Sequence, residues 1–195
     1  MRLLKIILFF ANLIFVASVN AESSKRAAEI DKIYQSDQKT RSLFKRGDVY
    51  DRAAELKSDA AHRMRLFEMM VDDLPWTARE LALVSVILQH TNTGSESEEN
   101  ESWRSQENHL LGFFFARKAA RLGLFEQAGS MVSRVERYLK ASGIPRDYGL
   151  ELVSRMPLKV CPINPQITDE QRLDAGLPLR LTEIMKEFCH PLMSE

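Results

Sequence analysis

The chain has 195 residues, with 27 basic and 27 acidic side chains and a formal net charge of zero. That balance excludes a chain-wide nucleic-acid footprint and a polybasic membrane anchor. The length suits one ordinary domain with room for a real core.

The N-terminus has the three parts of a secretory signal. Arg2 and Lys5 form a basic start, Ile6 to Val16 an apolar run broken by Asn12, and Val19-Asn20-Ala21 a small-residue cleavage site. A signal peptide over 1–21 with cleavage after Ala21 is therefore expected, leaving 22–195 as one exported domain, periplasmic or secreted. The apolar run is too short for a permanent span, and no second run reaches spanning length. No cysteine near the cleavage point suggests lipid attachment.

Glu22 to Lys45 is the first predicted helix, with Ile30, Ile33, Tyr34, Leu43 and Phe44 at helical spacing. Asp37 and Arg41 fall on that same apolar stripe and can pair across one turn. They read either as a structural ion pair or as part of a site. Tyr50 to Asp72 is a second helix, whose seam runs through Ala53, Leu56, Ala60, Met64, Phe67 and Val71. Asp59 and His62 flank that seam, as a surface pair or as a carboxylate orienting an imidazole.

Thr77-Ala78-Arg79-Glu80 is a capping box, and Trp76 and Leu81 can form its hydrophobic staple. These cues start the most apolar segment of the exported part, which ends near Thr91 in the polar pair Gln89-His90. A helix apolar on every side belongs in the middle of a domain. Its polar end must be hydrogen-bonded or have a use.

Ser95 to Ser105 holds Glu96, Glu98, Glu99 and Glu101 among serines and reads as a solvated loop. Gln106 to Leu122 is a helix carrying Phe113-Phe114-Phe115, which cannot all face one side. Gly123 closes it, and Leu124 to Ala141 follows, closed by Gly143. Leu150 to Val153 and Leu158 to Ile163 read as a small hairpin. Thr168 starts a short helical turn ending at Gly176-Leu177-Pro178, and Leu179 to Phe188 is the last helix. In an exported chain Cys161 and Cys189 invite a disulfide; the alternative is two separate thiols. The expected fold is mainly α: a compact single-domain bundle of five to six helices with a small C-terminal β-hairpin.

Several short patterns occur in order along the chain. They are Asp37-Gln38 followed by Arg41, then Asp59, His62, Arg65 and Leu66, then Val86-Ile87-Leu88-Gln89-His90. Tyr148-Gly149, Pro162-Ile163, Asp169-Glu170 with Arg172, and Gly176-Leu177-Pro178 follow. In this order the chain resembles, from about Ile30 to Phe188, a bacterial family catalogued as domain of unknown function 6624. Departures are His62 where that family has Asn, Thr91-Asn92 where it has Ala-Asp, Leu150-Glu151 where it has Thr-Gln, and a shorter segment from Trp76 to Gln89. The resemblance implies an all-helical domain with a small β element and supplies no activity.

No nucleophile elbow, phosphate-cradling glycine loop, paired-His metal motif or Cys-x-x-Cys is present. The first expectation is a binding or interaction module for an envelope ligand or protein, with Gln89, His62, Tyr148 and Phe114 as candidate contacts. The alternative is a hydrolase with His90 as general base, and Asp37, Arg41, Gln89 and Tyr148 as orienting or oxyanion-stabilising groups. A metal site from Asp59, His62 and His90 ranks third; no metal, cofactor or nucleic acid is assigned. A plain structural role for His90, bonded to a backbone carbonyl, stands beside all three.

Overall fold

In the computed structural model the described residues are 23–39, 41–42, 51–71, 74–90, 105–124, 128–155 and 158–188. The expected signal peptide with its cleavage at Ala21, the acidic loop over 95–104, and Cys189 lie outside them. The fold is mainly helical, with a small two-stranded antiparallel sheet near the C-terminus.

Helix α1 covers 23–39, and Arg41 and Ser42 are again helical. Helix α2 (Arg52–Met70) starts at Asp51, whose Oδ1 accepts from the Ala54 amide at 3.0 Å. Its buried face is not the seam expected from the apolar residues. Glu55, Asp59, Leu66 and Met69 are buried, whereas Met64 and Val71 are 61% and 82% exposed. These buried positions also repeat at helical spacing. The face is rotated because Arg41 draws Glu55 and Asp59 inward.

Helix α3 (Ala78–His90) is buried along most of its length, with Leu81, Ala82, Val84, Ser85, Ile87 and Leu88 inside. Its capping box forms: Thr77 Oγ1 accepts from the Glu80 amide at 3.2 Å, and Glu80 Oε2 accepts from the Thr77 amide at 2.7 Å. Glu80 also accepts from Arg26 of α1, Nε to Oε1 at 3.0 Å. The same guanidinium donates to the Leu74 and Pro75 carbonyls and lies 4.4 Å from the Trp76 ring centroid. One buried arginine thus holds the entry loop and the N-terminus of α3. Trp76 packs with Leu81 in one cluster, as the staple requires.

Helix α4 (Gln106–Arg121) divides two cores. On one side, Leu111 and Phe115 join Ile30, Leu66, Ile87 and Leu88 of α1, α2 and α3. On the other, Phe113 and Ala116 join helix α5 (Ala128–Ser142), the hairpin and the C-terminal helix. The Phe triplet is split accordingly: Phe113 inward, Phe115 against Trp76, and Phe114 44% exposed. Each fully buried Leu, Ile or Phe contributes about 2 kcal/mol. Gly123 and Gly143 end α4 and α5 at φ 97° and 69°. That left-handed conformation lets the Leu124 and Ile144 amides return to the Ala119 and Leu139 carbonyls.

A 3₁₀ turn at Arg146–Tyr148 leads to β1 (Leu150–Arg155), which pairs with β2 (Leu158–Pro162). The register slips between Leu152 and Ser154, leaving Val153 outside the pairing. Helix α6 (Asp169–Asp174) carries Arg172, which donates to the Tyr148 and Asn164 carbonyls at 3.0 Å. Asp169 Oδ1 accepts from the Leu181 amide at 3.1 Å and so caps helix α7 (Leu181–Phe188). Among the described residues, no helix is long and apolar enough to cross a membrane.

Candidate functional site

The polar residues of the first three helices meet at the C-terminal end of α3. Asp37 is 2% exposed, near the end of α1. Arg41 follows one turn later, Nη2 lying 3.5 Å from Asp37 Oδ1. Arg41 Nη2 also donates to Asp59 Oδ2 at 2.7 Å and to the His90 carbonyl at 3.1 Å. Its Nη1 pairs with Glu55. One guanidinium therefore joins three buried carboxylates and satisfies a carbonyl at the end of α3.

His90 completes the cluster. Its Nδ1 lies 2.9 Å from Asp37 Oδ2, which also accepts from Gln38 Nε2 at 2.8 Å. A carboxylate only accepts, so Nδ1 carries the proton and Nε2 is the basic nitrogen. Asp37 is fixed on three sides and the imidazole is 20% exposed. The ring thus has an orienting carboxylate behind it and an accessible edge. Burial pushes the Asp59 carboxyl up from its ordinary range, with the nearby Asp37 charge adding to it and Arg41 opposing it. Asp59 therefore keeps its proton to higher pH than a free aspartate does.

Beside this cluster lies a depression of about 440 Å³ between α3, α5 and β1, lined by Val86, Gln89, Ser133, Arg134, Leu152 and Arg155 among others. Arg134 is 1% exposed. Its Nε donates to the Ser85 carbonyl at 2.9 Å and its Nη1 to Gln89 Oε1. Room for its stem comes from Gly112, where a Cβ would stand 3.4 Å from Arg134 Cδ and 3.3 Å from the Ser85 carbonyl. Burial, with the Arg137 charge close by, pulls the Arg134 guanidinium down to about 9.

The structure thus brings Asp37, Arg41 and His90 together. Gln89 turns to Arg134 and faces the depression. Tyr148 packs against the second core, with its carbonyl held by Arg172. His62 Nε2 lies 3.5 Å from Ser58 Oγ, while Asp59 belongs to Arg41, so these two do not form a carboxylate–imidazole unit. Asp59, His62 and His90 each face a different partner. Among the described residues, no group of three His, Cys, Asp or Glu could hold a metal ion. The exposed large hydrophobics, Phe114 among them, are scattered over several elements.

Glu55 and Arg134 take part without having been singled out in the sequence. Glu55 was legible as the residue one turn before Asp59. Arg134 was legible as a charge inside the Met131–Val135 stripe of α5. Comparison with family models, curated proteins and solved structures finds no match to this chain.

Proposed function

We propose that this chain is an exported hydrolase in which His90 acts as general base and Asp37 orients it. The observation that carries the reading is the contact of His90 Nδ1 with Asp37 Oδ2 at 2.9 Å. Bonded in this way, the ring presents Nε2 to a water. As the water oxygen attacks an ester carbonyl or phosphoryl centre, Nε2 takes its proton. The bond to the leaving oxygen breaks and that oxygen receives the proton from the imidazolium. Arg41 holds Asp37 and the end of α3 in register and is a positioning residue. Export, a Cys161–Cys189 bridge, and membership in the uncharacterised bacterial family named above belong to the same proposal. The family reading is supported by where its motif residues fall. Asp37, Gln38, Arg41, Asp59 and His90 share one polar network, and Tyr148, Asp169 and Arg172 share another.

The second reading is a binding module without catalysis, favoured by the depression beside Gln89 and Arg134. A panel of 4-nitrophenyl carboxylic and phosphate esters separates the two. The hydrolase reading expects turnover by the purified mature chain that falls about 10²-fold or more in His90→Gln. Equal rates for the two proteins would leave only the binding module.

A further inference from the structure

Most arginines of the described chain meet a carboxylate: Arg26 with Glu80, Arg65 with Glu29, Arg79 with Asp31, Arg117 with Glu187. Two that line the depression, Arg134 and Arg155, do not. Arg134 is buried, and its hydrogen bonds among the described residues go to a backbone carbonyl and an amide oxygen, both neutral. Arg155 lines the same depression from β1; its Nη2 lies so close over α5 that a Cβ on Gly129 would stand 3.7 Å from it. Arg137, half-buried one turn beyond Arg134 on α5 and outside that lining, disfavours the Arg134 charge, while Glu136 favours its own. Among the described residues Arg155 has no hydrogen bond or ion pair to a carboxylate.

A buried cation without an anion is costly, and like charges gathered at one concavity add to that cost. An anion entering the depression relieves both. Guanidinium forks match the planar or tetrahedral oxygens of a carboxylate or phosphate. The Ser133 hydroxyl lies on the same wall. From this arrangement we infer that the depression between α3, α5 and β1 binds the oxyanion group of a small molecule, a phosphate or a carboxylate, between Arg134 and Arg155. Gln89 orients Arg134 from below. His90 is the next residue of α3 and one turn from Val86, which places it on the side of the helix that borders the seat. An anion held there comes within the neighbourhood of the proposed base, and the seat itself requires nothing of His90.

Titration calorimetry of the mature chain with inorganic phosphate, and separately with succinate, tests this. One of the two should bind saturably with one-to-one stoichiometry, and the stronger identifies the anion class. Arg155→Ala should weaken it about tenfold or more, and Arg155→Lys, which keeps the charge but not the fork, should weaken it less. Because Arg134 is part of the packing, the Arg155 variants carry the test. Arg180→Ala removes an exposed charge paired at 4.0 Å with Glu183 and should leave affinity within about twofold. Binding that persists in His90→Gln separates this site from the hydrolase reading. Failure of both anions to saturate, indifference to Arg155→Ala, or an equal loss in Arg180→Ala would overturn the inference.

Discussion

His90 Nδ1 and Asp37 Oδ2 lie 2.9 Å apart across 53 positions of sequence. The residue after next in the chain, Asn92, is not an acid, and the carboxylate comes instead from the end of α1. Replacing Asp37 with Asn leaves the ring free to adopt the other tautomer. Turnover of whichever ester is hydrolysed should fall about 10²- to 10⁴-fold in Asp37→Asn, with KM little changed. Steady-state kinetics on the folded variant measure it.

Glu80 ties α3 to α1 through Arg26. Burial disfavours its charge, and the Arg26 and Thr77 hydrogen bonds more than offset this, so the carboxyl is held below its ordinary range. A lowered folded-state value means that the folded chain binds fewer protons. The stabilisation is present above the ordinary glutamate range and is lost as pH falls through the lowered value. Glu80→Gln should cost about 3 kcal/mol at neutral pH, since Arg26 stays buried without its anion. The difference should shrink on acidification, read from urea unfolding at several pH values.

Asp59 has the opposite sign. Its raised value means that the folded chain binds the proton more tightly than the unfolded chain does. Its contribution is fully present below the ordinary aspartate range and is lost as pH rises through the raised value. Asp59→Asn should therefore compare best with the parent chain at the upper end of that window and worst below it. The same unfolding series checks this.

Leu66 and Met64 test the rotated face of α2. Leu66 is fully buried, and Leu66→Ala should cost about 2–5 kcal/mol. Met64 is 61% exposed, and Met64→Ala should stay within about 0.5 kcal/mol. Equal losses would restore the seam that apolar spacing suggests.

Gly149 tests the packing behind Tyr148. A Cβ there would stand 2.8 Å from Leu139 Cδ1 and 3.0 Å from the Arg146 carbonyl. Gly149→Ala should cost about 1–3 kcal/mol, through overpacking, in thermal or urea unfolding.

Element order was legible because local signals agreed. Thr77 and Glu80 fixed the start of α3, glycines at 123 and 143 ended α4 and α5, and short β-rich runs gave the hairpin. The face of α2 was not legible, because spacing of apolar residues alone ignores a partner that pulls carboxylates inward. Asp37 and Arg41 stood out as charges inside an apolar stripe, and Glu55 and Arg134 carry the same mark. What spacing could not convey is which distant groups meet: that Asp37 faces His90, or that Gln89 turns to Arg134 although it adjoins His90.

In the proposed hydrolase His90 is held by Asp37 with Nε2 left basic. Long-range proton–nitrogen correlation spectra of histidine-labelled protein, with His90→Gln for assignment, report its tautomer directly. Neutral His90 is expected to carry its proton on Nδ1, and Asp37→Asn to abolish this preference. A His90 protonated on Nε2, or a tautomer unchanged in Asp37→Asn, would contradict it.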